Sequence, residues 1–441
     1  MTTPLDPRSA PARGLLLLAS VGLLACDVAP DDPVEVDAAT SVRSSPILFP
    51  DPREARDMAG EYDFAVVFVR LAGIEPPGLT PSDLAITLGS TGIGGVINPG
   101  DPPPDPGFVT VAEYYDEISH GDFLLSHSVI SGVVQVANPP SHYCPMLTPS
   151  GWGTGECDAS LEADDFLDAA VAQLDFDPHE YDGVIFVVAG QAAPGYGLRR
   201  SYEGDVLPIA LIHGSYNVAF GAPLGEDQLG TYSTLKSLLI HEIGHAVGDL
   251  WHAGALECPD LAIIAEDVYN DCTPSATLNP LSPMSSGAVR HLGAYEKRLV
   301  GFIDPEQTWF PPIGHFHETT LKAIELDDPT AYQEIRIPVA EDEFYSIEYR
   351  RPIGVDAPPL SEAEASYFVG VTPGEPLHGL IVNLRLAGPT ADNDLEIVQL
   401  RQLVRPGETF HDNYRGIHVT FTSPLKGDRA RVNIATNVIQ L

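Results

Sequence analysis

The stretch "HEIGHAVGDLWH", residues 241–252, carries the spacing that decides how the rest of the chain is interpreted. His241 and His245 lie four residues apart, which on an α-helix is about one turn in height and roughly 40° in angle. Both imidazoles can therefore reach one metal ion. Glu242 lies about 100° further around the helix, where a carboxylate can face a water at the metal without ligating the ion. The spacing predicts a metal site on a helix, with a general base beside it.

The end of this helix is predicted at Gly248, because glycine permits the chain to leave a helix abruptly. The reversed chain would then return His252 to the ion as a third ligand. Trp251 occupies the position where a third ligand is usually expected, but an indole offers only an N–H donor and cannot ligate zinc. Asp249 is the rival ligand, since a continued helix would place it one turn after His245.

A short turn downstream adds a second feature, because "LSPMSSG" (281–287) places Met284 among Pro and Ser residues. The helix and this turn together resemble the metzincin clan of zinc peptidases, whose motif HExxHxxGxxH is followed by a Met-turn beneath the zinc. The residues that match are His241, Glu242, His245, Gly248 and Met284. The resemblance implies Zn²⁺ as cofactor and Glu242 as the catalytic residue. It also implies His252 as the third ligand, one residue later than usual, because "HAGALEC" resembles the segment that begins at the third His in this clan.

Longer stretches resemble the secreted metallopeptidases of the immune inhibitor A-like and gametolysin-like families. These stretches are 108–135, 291–303, 344–357 and 403–421. Immune inhibitor A-like enzymes often use Asp as the third ligand, so His252 favours the gametolysin-like side. The resemblance implies an exported endopeptidase that acts on protein or peptide substrates.

Buried strands alternate with helices in the first half of the chain, which predicts an α/β (α+β) domain with a mixed sheet. Strands are predicted over 62–73, 123–137, 181–190 and 206–214, and helices over 110–121, 160–174 and 231–248. A bend is expected at Gly132. The strand 206–214 is expected at a sheet edge, because Pro208 lacks a ladder donor. Leu239, Ile243 and Val247 recur every fourth residue and predict the buried stripe of the metal helix.

From residue 315 the pattern changes to short alternating runs separated by turn residues, with one helix predicted at 360–368. About seven strands of this kind predict an all-β sandwich. The expected domains are therefore a peptidase domain over 59–310 and a β-sandwich domain over 311–441.

The N-terminus has the features of an export signal. Arg8 and Arg13 precede an apolar run at 15–25, which is too short to span a bilayer as a stable helix. The run ends in "LLAC" and resembles a bacterial lipobox, which implies lipidation of Cys26 after removal of residues before it. An ordinary cleaved signal is the alternative. Residues 27–58, rich in Pro, Asp and Ala, predict a flexible tether between the membrane and the folded protein.

Four further cysteines remain in the exported chain, and an even number favours disulfides. The preferred pairing joins neighbours in sequence, and three pairings are open. These cysteines are Cys144, Cys157, Cys258 and Cys272. Metal ligation is the rival interpretation for some of them, although the chain has no CxxC pair.

The amino-acid composition bears on which macromolecules and ions the chain is expected to bind. The formal net charge of -39 argues against binding to DNA or RNA backbones, which needs a basic face, and it favours solubility. A monomer is expected. Calcium is a second candidate cofactor, because exported metalloproteases often use it and "EADD" (162–165) and "AEDE" (340–343) concentrate carboxylates, but no complete EF-hand pattern is present.

Three functions remain open from the sequence. The first is an exported zinc endopeptidase anchored by lipid. The second is a surface lipoprotein that binds or adheres through an inactive protease fold, which the extra residue at Trp251 would favour. The third is a zinc hydrolase of other substrates, such as cell-wall material.

Overall fold

The computed structural model describes the chain in segments that all belong to one compact unit, Pro46–Leu441. The described residues are 56–72, 84, 87–89, 109–138, 166–188, 196–202, 205–213, 228–257, 273–275, 279–285, 289–340, 343–368, 370–390, 395–413 and 415–436. Within them the fold is α+β, with mixed sheets, few helices and a β-rich C-terminal region.

A five-stranded mixed sheet forms the centre of the first half. Its strands are β1 (Gly60–Leu71), β2 (Phe123–Val136), β3 (Gly183–Val188), β4 (Tyr196–Tyr202) and β5 (Asp205–His213). Their order is β2-β1-β3-β5-β4, and every pair is parallel except β4 with β5. Side chains 64–69 of β1 are all buried, as expected for a parallel strand that is covered on both faces.

Helices cover both faces of this sheet. On one face lie α1 (Val111–Ile118) and α2 (Gln228–Gly248), and on the other lies a helical segment at 166–171. The helix α1 begins with a capping box, in which Thr110 Oγ1 accepts from the Glu113 N–H at 3.2 Å and the Glu113 carboxylate accepts from the Thr110 N–H at 2.8 Å. The described helices agree with the segments predicted from the sequence.

The prediction that 206–214 lies at a sheet edge is wrong. The strand β5 is interior, because β4 pairs with it from the outside. Pro208 is tolerated there because the ladder between β3 and β5 begins at Ile209, so no bond to β3 is lost at the proline. The bend predicted at Gly132 agrees with the register of β1 and β2, which shifts between Val129 and Val133.

The second half contains two further sheets. Their strands are β6 (His252–Glu257), β7 (Thr273–Ser275), β8 (Thr308–Trp309), β9 (Phe316–Lys322), β10 (Glu334–Ala340), β11 (Glu343–Arg350), β12 (Gly379–Thr390), β13 (Leu395–Val404), β14 (Thr409–Asp412), β15 (Ile417–Leu425) and β16 (Arg429–Thr436). A seven-stranded sheet has the order β7-β6-β13-β12-β11-β10-β8, and a four-stranded sheet has the order β14-β15-β16-β9. The helices α3 (Ala294–Leu299) and α4 (Glu362–Tyr367) lie between these strands in sequence.

The two sheets of this β-rich region share one apolar core. Ile347 and Val382 of the larger sheet and Val419 and Val432 of the smaller one belong to a single buried cluster. Alternate residues of these strands point into it, so the period-two pattern of the sequence is accounted for by burial.

Two observations bear on the expected domain boundaries. The strand β6 precedes residue 310 but pairs with β13 near the C-terminus, so one sheet spans the predicted boundary. At the other end, the Met58 N–H donates to the Val300 carbonyl at 3.0 Å and the Met58 side chain is buried. The chain is therefore already part of the fold from Arg56 onward, within the segment that was predicted to be a flexible tether.

Candidate metal centre

The site is built on α2, whose apolar stripe packs against the first sheet. Leu239, Ile243 and Val247 are buried there, as the sequence predicts. Tyr115 of α1 donates its hydroxyl to the carbonyl of Ile240 at 2.7 Å. This hydrogen bond joins the two helices at the residue before the first histidine of the site.

His241 and His245 face each other from successive turns, with their Nε2 atoms 2.9 Å apart. The Nδ1 of His241 lies 2.8 Å from the Pro283 carbonyl, and the Nδ1 of His245 lies 2.5 Å from the Leu250 carbonyl. A carbonyl only accepts, so each Nδ1 is the donor and each neutral ring carries its lone pair on Nε2. The two carbonyls thereby select the tautomer in which the paired Nε2 atoms can ligate a metal.

The chain reverses at Asp249, which adopts the left-handed conformation at φ 51° and donates its N–H to the His245 carbonyl at 3.1 Å. The strand β6 then begins directly at His252. Its ring centroid lies 5.2 Å from that of His241 and 4.8 Å from that of His245. The ligand atoms of the three histidines all lie within 4.8 Å of one another.

This convergence shows a group that could hold a metal ion. Within the described segments, no other set of three or more His, Cys, Asp or Glu side chains meets in this way. Three imidazole nitrogens suit zinc, copper, iron or nickel better than the hard cations calcium and magnesium. The extra residue before His252 is accommodated in the turn through Trp251, so the lengthened spacing does not separate the third imidazole from the other two.

Asp249, the rival ligand, does not join the group of converging ligand atoms. Its Oδ2 lies 3.0 Å from Nη2 of Arg56 in a partly exposed ion pair. The physical reason is the backbone: the left-handed turn at Asp249 ends the helix, so its side chain does not continue the row of His241 and His245.

The helix α2 ends at Gly248, as predicted, and the residue with the left-handed conformation is the next one, Asp249. Gly248 is required for space. A Cβ there would lie 2.8 Å from Sδ of Met58 and 2.9 Å from Cγ1 of Val300. Packing at the helix end, rather than a positive φ, therefore explains the glycine.

Met284 lies beneath α2 at the level of the two helical histidines. A Cβ on Gly244 would lie 2.6 Å from Sδ of Met284, so the turn and the helix are in close contact. The turn is held by the Ser282 hydroxyl, which accepts from the Met284 N–H at 3.1 Å. The Met284 carbonyl accepts from the Ala253 N–H at 2.9 Å, which ties the turn to the strand that carries the third histidine.

The electrostatics keep the helical histidines neutral. Burial lowers the pKa of His241 to about 4, and burial lowers the pKa of His245 well below its usual value. Positive charge on the neighbouring rings lowers both further. At neutral pH both rings therefore offer free lone pairs, which is the form that metal ligation needs.

Glu242 is only 2% exposed, although it is a carboxylate. Its charge contributes to raising the pKa of Tyr115, after the larger contribution from burial of the phenol. The carboxylate therefore lies close to α1, in surroundings of low polarity, where an ionised group interacts strongly with a nearby cation.

Sequence reasoning did not find the groups that support the ligands. The Pro283 and Leu250 carbonyls, Gly244 and Ser282 carry no catalytic motif of their own, and a backbone carbonyl leaves no trace in residue type. Only the proximity of Ser282 and Pro283 to Met284 could have suggested them.

Several predicted residues lie outside the described segments, namely Cys26, Cys144, Cys157, Cys258 and Cys272. Most of the two carboxylate stretches considered for calcium lies there as well. In the part of the chain that is described, no helix is long and apolar enough to cross a membrane.

No protein-family model matches the chain, and no curated protein matches it.

Proposed function

We propose that the chain is an exported zinc-dependent endopeptidase with a metzincin-like site. The observation that carries the proposal is the meeting of three imidazoles from two different elements, with a buried carboxylate adjacent in sequence to the first of them. His241, His245 and His252 would hold the ion and leave its fourth position open, as in catalytic zinc sites.

Zinc in such a site polarises a scissile carbonyl and acidifies the attacking water. Glu242 is the general base in this proposal: its carboxylate takes the proton from the water and delivers it to the leaving amine nitrogen. The carbonyls of Pro283 and Leu250 keep the Nδ1 protons in place, so that the ligating nitrogens remain unprotonated.

A peptide substrate is favoured over a small molecule by the edge of the first sheet. Among the described strands, β4 pairs only with β5, and α2 packs against both strands. An edge strand offers backbone N–H and C=O groups that can pair with an extended peptide. Within the described segments this edge is the one that lies beside the metal helix.

Export and anchoring through a lipid on Cys26 belong to the same proposal. The support is the apolar run that ends in "LLAC", together with the Pro-rich stretch behind it. Localisation of the full chain, compared with a Cys26→Ser variant, tests this part separately from the chemistry.

The test of the function combines metal content with hydrolysis. Purified protein should contain one zinc ion per chain and should cleave casein, and a chelator should abolish the cleavage. Glu242→Gln should retain zinc and lose at least 100-fold in rate, because general-base catalysis typically contributes that much. Stoichiometric zinc without any cleavage would contradict the peptidase and favour the binding lipoprotein.

The assignment of the third ligand has its own test. His252→Ala should weaken zinc binding far more than Asp249→Ala, since only the imidazole converges on the other two rings. The reverse order would reassign the ligand to Asp249.

A further inference from the structure

We propose that the C-terminal β region is part of the framework of the metal site, and that Glu348 is a positioning residue which holds the Met284 turn beneath the ligands. This inference rests on the proposed metal site, but it concerns the geometry of the ligands and not the reaction. It would make the sandwich a structural requirement for metal binding rather than an independent module.

The third ligand depends on the C-terminal sheet through its backbone. His252 is the first residue of β6, and β6 pairs in parallel with β13, where His252 lies opposite Leu395 and Ala253 opposite Ile397. The next strand, β12, continues the same sheet. Two imidazoles thus come from a helix of the first half, whereas the third comes from a strand of the C-terminal sheet.

A chain of buried hydrogen bonds leads from the first ligand to the same sheet. The Nδ1 of His241 donates to the Pro283 carbonyl, which lies in the Met284 turn. Within that turn the Ser282 hydroxyl accepts from the Met284 N–H, and it donates to Glu296 Oε1 at 2.9 Å. Glu296 lies on α3, so the turn is held from below by the helix that follows it.

The start of α3 is in turn held by β11. The Gly293 N–H donates to Glu296 Oε2 at 2.6 Å, and the adjacent Ala294 N–H donates to Glu348 Oε2 at 2.5 Å. The other oxygen of Glu348 accepts from Arg350 Nε at 2.6 Å. Both carboxylate oxygens of Glu348 are therefore in use, one toward α3 and one within the C-terminal sheet.

The geometry makes Glu348 specific for this role. An amide in its place would retain one acceptor but would present an NH₂ group either to the Ala294 N–H or to Arg350, and neither can accept. Glu348, Ala294 and Arg350 are buried, so a donor facing a donor there costs free energy, and we expect α3 to move to relieve it. The helix α3 also carries Glu296, whose carboxylate holds the turn. The expected consequence is a displaced Met284 turn.

A matched control exists on the neighbouring strand. Glu334 of β10 is equally buried, its Oε1 lies 2.9 Å from Arg336 Nε, and its carboxylate accepts from the hydroxyls of Ser346 and Thr308. These partners lie on β8, β10 and β11. Arg336 also lies over the ring of Tyr295 on α3, with its guanidinium carbon 5.1 Å from the ring centroid, but the contacts of the Glu334 carboxylate itself do not include Glu296 or the Met284 turn. Glu334→Gln therefore disturbs a buried carboxylate of the same sheet without disturbing the hydrogen-bonded chain to His241.

The experiment measures zinc affinity by competition with a chelating dye in the full chain, with circular dichroism as the check on folding. Glu348→Gln should weaken zinc binding about tenfold, because the displaced turn takes with it the Pro283 carbonyl, which is the outer partner of His241. Glu334→Gln should remain within about twofold of the unaltered chain, even where both variants lower Tm. Unchanged affinity in folded Glu348→Gln, or equal loss in Glu334→Gln, would overturn the proposal.

A second pair of variants tests the same hydrogen bonds in case Glu348→Gln does not fold. Ser282→Ala removes the hydroxyl that joins the turn to Glu296 and should weaken zinc binding to a similar extent, whereas Ser282→Thr keeps a hydroxyl and should restore most of the affinity. Equal affinities for the Ala and Thr variants would contradict the proposed chain of hydrogen bonds.

Failure of the function and failure of this inference are distinguishable. If the unaltered chain binds no zinc, the proposed function fails, and the inference is then tested on the Nδ1 proton of His241 in ¹⁵N-histidine spectra. That proton should exchange slowly in the unaltered chain and in Glu334→Gln, and rapidly in Glu348→Gln. The same exchange rate in all three would overturn the inference.

Discussion

At the scale of single residues, Gly244 leaves no room between the metal helix and the Met284 turn. A methyl group there would lie 2.6 Å from Sδ of Met284, so Gly244→Ala must push the turn away. We expect a loss of about 1–3 kcal/mol in the free energy of unfolding, as is usual for overpacked cores. We also expect weaker zinc binding, because the turn carries the Pro283 carbonyl that holds His241. Chemical denaturation and dye competition measure the two effects.

Gly248→Ala is the matched control on the same helix. Its Cβ would meet Met58 and Val300 most closely and Cγ of Leu250 at 3.2 Å, but not Met284, so the loss of stability should be similar and the loss of zinc affinity smaller. If both alanine variants weakened zinc binding equally, contact with the Met284 turn would not be the cause.

The carboxyl group of Glu296 should make the free energy of unfolding depend on pH. Burial raises the pKa of its carboxyl from 4.5 to about 7. The folded chain therefore holds this proton more tightly than the unfolded chain does, and the stability that it contributes is present below pH 4.5 and lost as pH rises through 7. Glu296→Gln carries no such proton.

The difference in unfolding free energy between the unaltered chain and Glu296→Gln should consequently fall by about 3 kcal/mol between pH 4.5 and 7.5. Denaturant titrations of both proteins across this range measure it, and the buried histidines cancel because both proteins contain them. A difference that stayed constant with pH would contradict the raised pKa.

At the scale of elements, two tyrosines on α1 hold different parts of the site. Tyr115 donates to the Ile240 carbonyl on the metal helix, whereas Tyr114 donates to the Arg290 carbonyl before α3. Removing either hydroxyl should cost about 1 kcal/mol, which is the typical net value of one hydrogen bond. Only Tyr115→Phe should speed amide exchange around residues 240–245, as measured by mass spectrometry. Equal exchange there in Tyr114→Phe would show that the effect is not local.

Elements with strong periodicity were predictable, and elements defined by their neighbours were not. The helix α2 and the strand β1 follow from residue pattern, since one has an apolar stripe and the other is a continuous apolar run. The strands β4 and β13 were not predicted. The position of each is set by its pairing with another strand: β4 pairs with β5, and β13 pairs with β6. Pairing partners far apart in sequence are not encoded in local periodicity.

At the scale of the whole molecule, the net charge of -39 predicts a dependence on salt. Repulsion among the excess carboxylates opposes the compact state, and it weakens as the screening length falls from about 30 Å in 0.01 M salt to about 3 Å in 1 M salt. We expect Tm to rise by several degrees over this range of sodium chloride. Scanning calorimetry measures it, and a Tm that fell with salt would contradict the prediction.

The sequence by itself determined the helix that carries His241 and His245, the carboxylate between them, the turn at Met284 and the change to short alternating strands from residue 315. All of these depend on spacing within a few residues, which local backbone geometry converts directly into position. Only the tertiary structure decided that His252 converges on the same point despite the extra residue, since that depends on the left-handed turn at Asp249. It also placed His252 on a strand of the C-terminal sheet, because strand pairing between residues about 140 positions apart is settled by burial and backbone hydrogen bonding across the whole fold.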